Sequence, residues 1–325
     1  MKDKKLMTQF SGARWFRILG ISVFILGIFL VIAAVEAEEP QIHFPTRGGL
    51  VRTDQPDTTQ LIKLYNRMIA RNLNHPDALR GAVIDSVMNE ILGLPVGDRI
   101  GAWADFFWRW GKADYRFGLD SLGYASQGLL VDDRHTDCVL FFYRTSELGR
   151  SSTALEAVQF GFGTRFYGAP IAEVVGEGGA LDYNHPAHLD YTVDMIRSGI
   201  WGEDVTASIG MAMADLAGTS RFPAGTVQYL PTNSINYDAI QNGDGIHFVL
   251  NEATERGRKI RESGALIGHI GVVVRDGGEV MLIHPASTGL EGLYDGGKIV
   301  RVPLKTYLQR VDTFKGIIVT RVKMF

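Results

Sequence analysis

The chain has 325 residues, of which 46% are hydrophobic and 21% charged, and a formal charge of −3. That is enough apolar residue for one large core or two small ones, and there is no basic excess to mark nucleic acid or an anionic membrane surface as a partner. The single cysteine, Cys138, excludes an intrachain disulfide framework, a multi-cysteine metal site and a lipid-bearing cysteine near the N-terminus.

Residues 1–37 read as a signal peptide or membrane anchor. Lys2, Lys4, Lys5, Arg14 and Arg17 precede an uncharged run from Ile18 to Val35, and small residues permit cleavage after Ala37. The run, about 18 residues, is also long enough to span a bilayer. In either case the basic flank stays in the cytoplasm and the body is exported. The expected location is periplasmic, either free or tied to the inner membrane through residues 18–35. Residues 38–56, with Pro40, Pro45, Gly48, Gly49 and Pro56, read as a linker.

A helical part is expected over 57–112. Apolar residues at helical spacing mark Thr58 to Asn72, and a second helix is expected from Pro76 to Leu92. The aromatic stretch Trp103 to Trp110 suggests a third, with its rings packed on the body rather than free for sugars. Asp114 to Gly118 reads as a loop entering a site. Thr136 to Leu148 reads as a helix whose start is capped by Thr136 or Asp137. Ala154 to Phe160 suggests a short helical piece. Residues from about 150 to 235 read as an irregular insertion, with short strands at Thr164–Tyr167 and Val174–Val175.

The C-terminal third changes period. Gly243 to Leu250, Ile267 to Arg275, Glu279 to His284, Lys298 to Val302 and Gly316 to Val322 read as strands. The charged stretch Asn251 to Ser263 reads as a solvated loop or short helix, and Leu304 to Arg310 as a helix. Asp276-Gly277-Gly278 is a hairpin turn. Helices followed by an antiparallel sheet make the fold class α+β, with the Cys138 helix packed on the sheet.

Cys138 opens a helix, where unpaired N–H groups and the positive end of the dipole favour a thiolate. An exported chain also has little reason to keep an idle thiol. A thiol nucleophile needs a base, and the base needs an orienting partner. His269 starts one strand of the hairpin and His284 ends the other, so pairing across the turn sets both imidazoles on one edge. Other candidates are weaker. His185, His188, Asp190 and Asp194 have ligand types without a specific spacing and read as a polar loop. Gly161-Phe162-Gly163 lacks the setting of a dinucleotide motif. Ser86, Ser152 and Ser287 lack a nucleophile elbow. His247 reads as a core residue, and Asp244 as the residue shaping the turn into its strand.

Asp137-Cys138 at a helix start, His269-Ile-Gly-Val-Val on a strand and Ile283-His284-Pro-Ala-Ser287 after the turn resemble NlpC-type cell-wall peptidases of the papain-like fold. Tyr229-Leu230-Pro231, Asn242-Gly243-Asp244 and Gly316 to Arg321, in that order, bring the resemblance closer to domain of unknown function 1460, the N-acetylmuramoyl-L-alanine amidase-like branch. It runs from about Asp114 to the C-terminus, so the catalytic domain is expected over 113–325.

The resemblance implies a Cys-His-His amide hydrolase that needs no cofactor or metal. Cys138 is then the nucleophile, His269 the base and His284 its orienter. Tyr115, Asp137, Tyr229 and Ser287 are implied as oxyanion or substrate-binding residues. Peptidoglycan or a muropeptide is the implied substrate, cut at the sugar–peptide amide or within the stem peptide. Other readings are an acyltransferase of the same fold and a non-catalytic wall-binding module. Two positions depart from the family pattern as read here. Tyr143 stands where the branch carries a glutamate, and Met195 where it carries a tryptophan.

Overall fold

The computed structural model describes residues 58–167, 169–189, 193–216 and 227–322. The expected signal or anchor segment 1–37 and the linker 38–56 lie outside the described residues. Among the described residues, no helix is long and apolar enough to cross a membrane.

Three helices come first: α1 (Thr58–Leu73), α2 (Gly81–Ile91) and α3 (Val96–Trp110). Trp103, Phe106 and Phe107 of α3 are buried. Phe107 meets Phe141 of the next helix edge-on, with ring centroids 6.4 Å apart. The aromatic stretch therefore joins α3 to the body.

After two short strands, β1 (Asp114–Tyr115) and β2 (His135–Thr136), comes α4 (Cys138–Arg150). It is enclosed, with every residue from Val139 to Arg150 buried. Charges inside a protein must be paired. The Arg144 Nε donates to Asp133 at 2.9 Å, and Arg165 grips both Glu147 oxygens at 2.8 Å.

The region expected to hold strands at Thr164–Tyr167 and Val174–Val175 is instead helical there: α5 (Ala154–Arg165) and α6 (Ile171–Val174). Thr153 caps α5 by accepting from the Glu156 N–H at 3.1 Å, and Glu156 reaches back to the Ser152 N–H. The helix runs beyond Phe160 to Arg165, whose guanidinium pairs with Glu147. Only isolated bridges remain, Phe166 with His188 and Val175 with Leu181. Then follow α7 (Val193–Arg197), β3 (Glu203–Asp204), α8 (Thr206–Ile209) and β4 (Ala214–Leu216).

The last third supplies β5 (Val227–Pro231), β6 (Gly245–Leu250), α9 (Glu255–Arg261), β7 (Ile267–Asp276), β8 (Glu279–Ala286), β9 (Lys298–Pro303), α10 (Leu304–Arg310) and β10 (Phe314–Arg321). Asn251 to Ser263 thus contains a true helix, capped by the Thr254 hydroxyl. The sheet runs β2-β1-β9-β8-β7-β6-β10-β5-β4, with β3 also on β10. Its body is antiparallel, but β1 and β2 pair in parallel, so the sheet is mixed rather than purely antiparallel.

Both faces of the sheet are covered. Ile270, Val272, Ile283 and Ile299 pack with the α2–α4 residues. Val273, Val280, Leu282 and Val302 pack with Leu304, Tyr307 and Leu308 of α10. This is the two-residue alternation of a strand buried on both sides. Each such side chain contributes about 1.5–3 kcal/mol of transfer free energy. The fold is α+β, with α4 laid on one face and α10 on the other.

Candidate active site

Asp137 determines where α4 starts. Its backbone is extended, and its Oδ1 accepts from the Leu140 N–H at 2.8 Å. Its Oδ2 accepts from Gly118 at 2.8 Å, which fixes the loop after β1. Both oxygens are thus occupied by the chain's own N–H groups. Asp137 thereby ties the start of the Cys138 helix to the loop after β1.

Upstream, Asp132 accepts from the His135 N–H at 2.9 Å and lies 3.1 Å from its Nδ1. Asp77, Asp132 and His135 are the described side chains that could hold a cation, with their ligand atoms within 4.8 Å of one another. His185 and His188, which read as part of a polar loop, do not join that cluster. His185 lies 3.6 Å from Glu173, and the His188 ring packs between Phe166 and Tyr183. Asp190 lies outside the described residues.

The hairpin turns on Gly277 and Gly278, both with positive φ. Its ladder runs from Asp276↔Glu279 back to Val272↔Ile283 and stops there. On the other side of β7 the register shifts between Phe248↔His269 and Val249↔Ile267, a bulge at Gly268. Bulges re-aim side chains, and this one adjoins His269. Opposite it, the His269 Nε2 lies 2.8 Å from the His284 Nδ1. The structure therefore brings the two imidazoles together where the hairpin ladder ends. His284 is 1% exposed, whereas His269 is partly open to solvent.

Cys138 packs against the core that contains Ile270 of β7, and the backbone N–H groups of Ile270, Cys138 and Val139 favour its thiolate. It makes no hydrogen bond to His269. The helix start was expected to favour thiolate, but the balance goes the other way. Burial first, then the Asp137 charge, push the thiol up to about 12. Burial also holds His284 down at about 4. Burial, then His284, then Arg256 keep His269 well below the usual histidine range. These shifts favour the protonated thiol and the neutral imidazoles at neutral pH.

Burial first, then the charges of Cys138 and Asp137, raise the Tyr115 hydroxyl while Ser287 lowers it, so these residues share one neighbourhood. Tyr229 is elsewhere. It lies on β5, three strands from β7 in the sheet order, and its ring receives the Lys315 ammonium at 5.4 Å.

Two groups at the site escaped sequence reading. The Tyr307 ring lies 5.0 Å from His284 and 6.4 Å from His269. Leu304, Tyr307 and Leu308 fall at positions i, i+3 and i+4 of α10, a pattern that could have marked an inward face. Gly271 is the other. A Cβ there would lie 2.7 Å from Leu282 Cδ1 and 3.1 Å from His284 Cβ. Separately, a cavity of about 620 Å³ is lined by Leu119, Ser126, Glu173, Asp182 and Tyr183 among others. It contains none of the predicted site residues.

Neither a protein-family model nor a curated protein matches the sequence. Solved structures do match. Two structures of an N-acetylmuramoyl-L-alanine amidase from Bacteroides uniformis align with a TM-score of 0.50 at 19% and 20% identity, covering 70% of this chain and 99% of that one. A Legionella pneumophila protein of the domain-of-unknown-function 1460 family aligns with a TM-score of 0.50 at 17% identity, covering 74% of this chain and 93% of its own. The chain has the amidase-like fold. The structures it resembles include both the amidase and the domain 1460 protein expected from the motif order.

Proposed function

We propose that the protein is an exported, thiol-dependent amide hydrolase acting on bacterial peptidoglycan, with Cys138 as nucleophile, His269 as base and His284 as the residue that orients it. The observation that carries this reading is the 2.8 Å contact of His269 with His284, on the two strands whose Ile270 and Ile283 share a core with Cys138. Its setting, a fold shared with amidase-named structures, supports the cell-wall substrate. The N-terminal charge and hydropathy pattern supports export.

The chemistry follows from the tautomers. The proposed reaction uses the tautomer in which the His269 Nε2–H donates to the His284 Nδ1, a nitrogen that also lies 3.3 Å from the Pro285 carbonyl. That leaves the His269 Nδ1 as the acceptor. Rotation about the Cα–Cβ bond of Cys138 carries the thiol from the Ile270 N–H toward that nitrogen as substrate enters; catalytic hydrogen bonds often tighten only then. His269 takes the proton, and sulfur attacks the amide carbonyl. The oxyanion is met by the backbone N–H of Cys138 at the start of α4. His269 then protonates the leaving amine, and a thioester remains. Water attacks it with His269 again as base, releasing the acid and the thiol.

Incubation with sacculi and defined muropeptides, read by mass spectrometry, tests this proposal. New amine and acid termini from the wild type, absent with Cys138→Ala, are the expected result and locate the scissile bond. Amine-dependent adducts in place of acid would make the protein a transferase. Binding without any product from either protein would end the enzymatic reading.

A further inference from the structure

Both strands beside β6 carry an extra residue at the same step of the sheet. On β7 it is Gly268, and on β10 it is Lys315, between Phe314↔Leu250 and Gly316↔Val249. A regular β10 would turn Phe314 to the face of Gly316 and Val249. The bulge puts it instead on the face of Leu250, Phe248 and His269. Gly268 leaves room for this. A Cβ there would collide with the Leu250 side chain and lie 3.1 Å from the Phe314 ring.

The rings that meet on this face form one group. The His269 imidazole lies 5.6 Å from Phe248, its cross-strand partner, 6.3 Å from Phe314 and 6.4 Å from Tyr307 of α10. The interplanar angles are 32°, 16° and 36°, closer to stacked than to edge-on. Phe248 in turn lies 5.1 Å from Phe314 and 5.3 Å from Tyr307. All three rings are buried.

This platform bears on the charge that the base must acquire. Burial, His284 on β8 and Arg256 on α9 all oppose a proton on His269, and no acidic group is among the described residues that bear on it. His284 itself lies against Tyr307 and Tyr294, at 5.0 and 5.6 Å. Aromatic faces are negative and stabilise a nearby cation. When the proton leaves the Cys138 sulfur for the His269 Nδ1, one anion and one cation form together. Resting on the hydrolase reading above, we propose that Phe248, Tyr307 and Phe314 are positioning residues that hold the His269 ring and stabilise its imidazolium.

Cys138 is the only thiol, so alkylation of the full chain by iodoacetamide at neutral pH reads the thiolate formed by transfer to His269. Phe314→Leu should slow alkylation about two- to fivefold, the range for one cation–π contact, and Phe314→Tyr should restore it. Tyr307→Leu and Tyr307→Phe should behave in the same way. A ring that only filled space would act with the opposite sign, because its loss admits water and reagent and speeds alkylation. In a His269→Gln background alkylation should already be slow, and Phe314→Leu should change it no further. An unchanged or faster rate in Phe314→Leu, or an equal slowing in both backgrounds, overturns the inference and leaves the hydrolase reading in place. A wild-type rate in His269→Gln alone means that His269 is not the base, and the inference then falls together with that reading. Unfolding midpoints measured alongside establish that the variants compared are folded.

Discussion

The His269 Nε2 lies 2.8 Å from the Nδ1 of His284, so the Nδ1 of His269 is the ring nitrogen outside that contact. His284→Ala should lower kcat by about 10²–10⁴-fold, the range for losing or misorienting an acid–base group. KM should change little. His284→Asn, which offers an acceptor oxygen, should recover part of the loss. Steady-state kinetics on one muropeptide reads both. An equal loss in the two variants would mean that His284 does more than accept a hydrogen bond.

Asp137 raises the proton affinity of the neighbouring thiol while capping its helix. Asp137→Asn should keep most of the cap and bring the thiol down from about 12. The rate of alkylation against pH should then rise at lower pH than in the wild type. Asp137→Ala should also cost roughly 0.5–2 kcal/mol through loss of the cap. Denaturant unfolding separates the two effects.

Glu147 and Arg165 are 1% and 0% exposed, and each is the other's main charge partner. Removing one alone, as in Glu147→Gln or Arg165→Met, should destabilise by about 3–5 kcal/mol because a buried charge is left uncompensated. Replacing both with apolar residues of similar volume should cost much less. A double-mutant cycle in unfolding free energy measures the coupling. Independent, additive losses would contradict the pairing.

Acid should unfold the protein through its buried histidines. Burial holds His247 at about 3 and His284 at about 4 in the folded state, against about 6.5 in the unfolded chain. Below pH 6.5 the unfolded state therefore binds more protons. Stability is fully present above that pH and is lost as pH falls toward 3–4. The slope should approach about 1 kcal/mol per pH unit for each histidine. His247, whose Nε2 is 3.0 Å from the Thr320 hydroxyl, can be tested alone. His247→Leu should flatten the acid limb of the unfolding curve.

Much of this arrangement was legible in local pattern. The hairpin was signalled by Asp276-Gly277-Gly278 between alternating apolar strands, and the strands and α10 fell close to their expected bounds. Both histidines could be placed because a two-residue turn leaves little freedom in register. The strands expected at Thr164–Tyr167 and Val174–Val175 failed for a tertiary reason. The helix there ends on Arg165, which pairs with Glu147, a partner to which no sequence spacing points. The resting thiol failed similarly. Dipole and N–H groups are visible from a helix start, but burial and the turn of Asp137 toward Leu140 and Gly118 are not. Tyr229 shows the limit of motif order, since a strand can share a sheet with the site and still lie three strands away.

The central claim is that the Cys138 sulfur takes the acyl group. It is tested most directly by comparing kcat/KM of the wild type, Cys138→Ser and Cys138→Ala on one defined muropeptide. Both variants should lose about 10⁴-fold or more, as for removal of a nucleophile elsewhere, with binding retained. Turnover by Cys138→Ala within about tenfold of the wild-type value, too small a loss for a missing nucleophile, would contradict it.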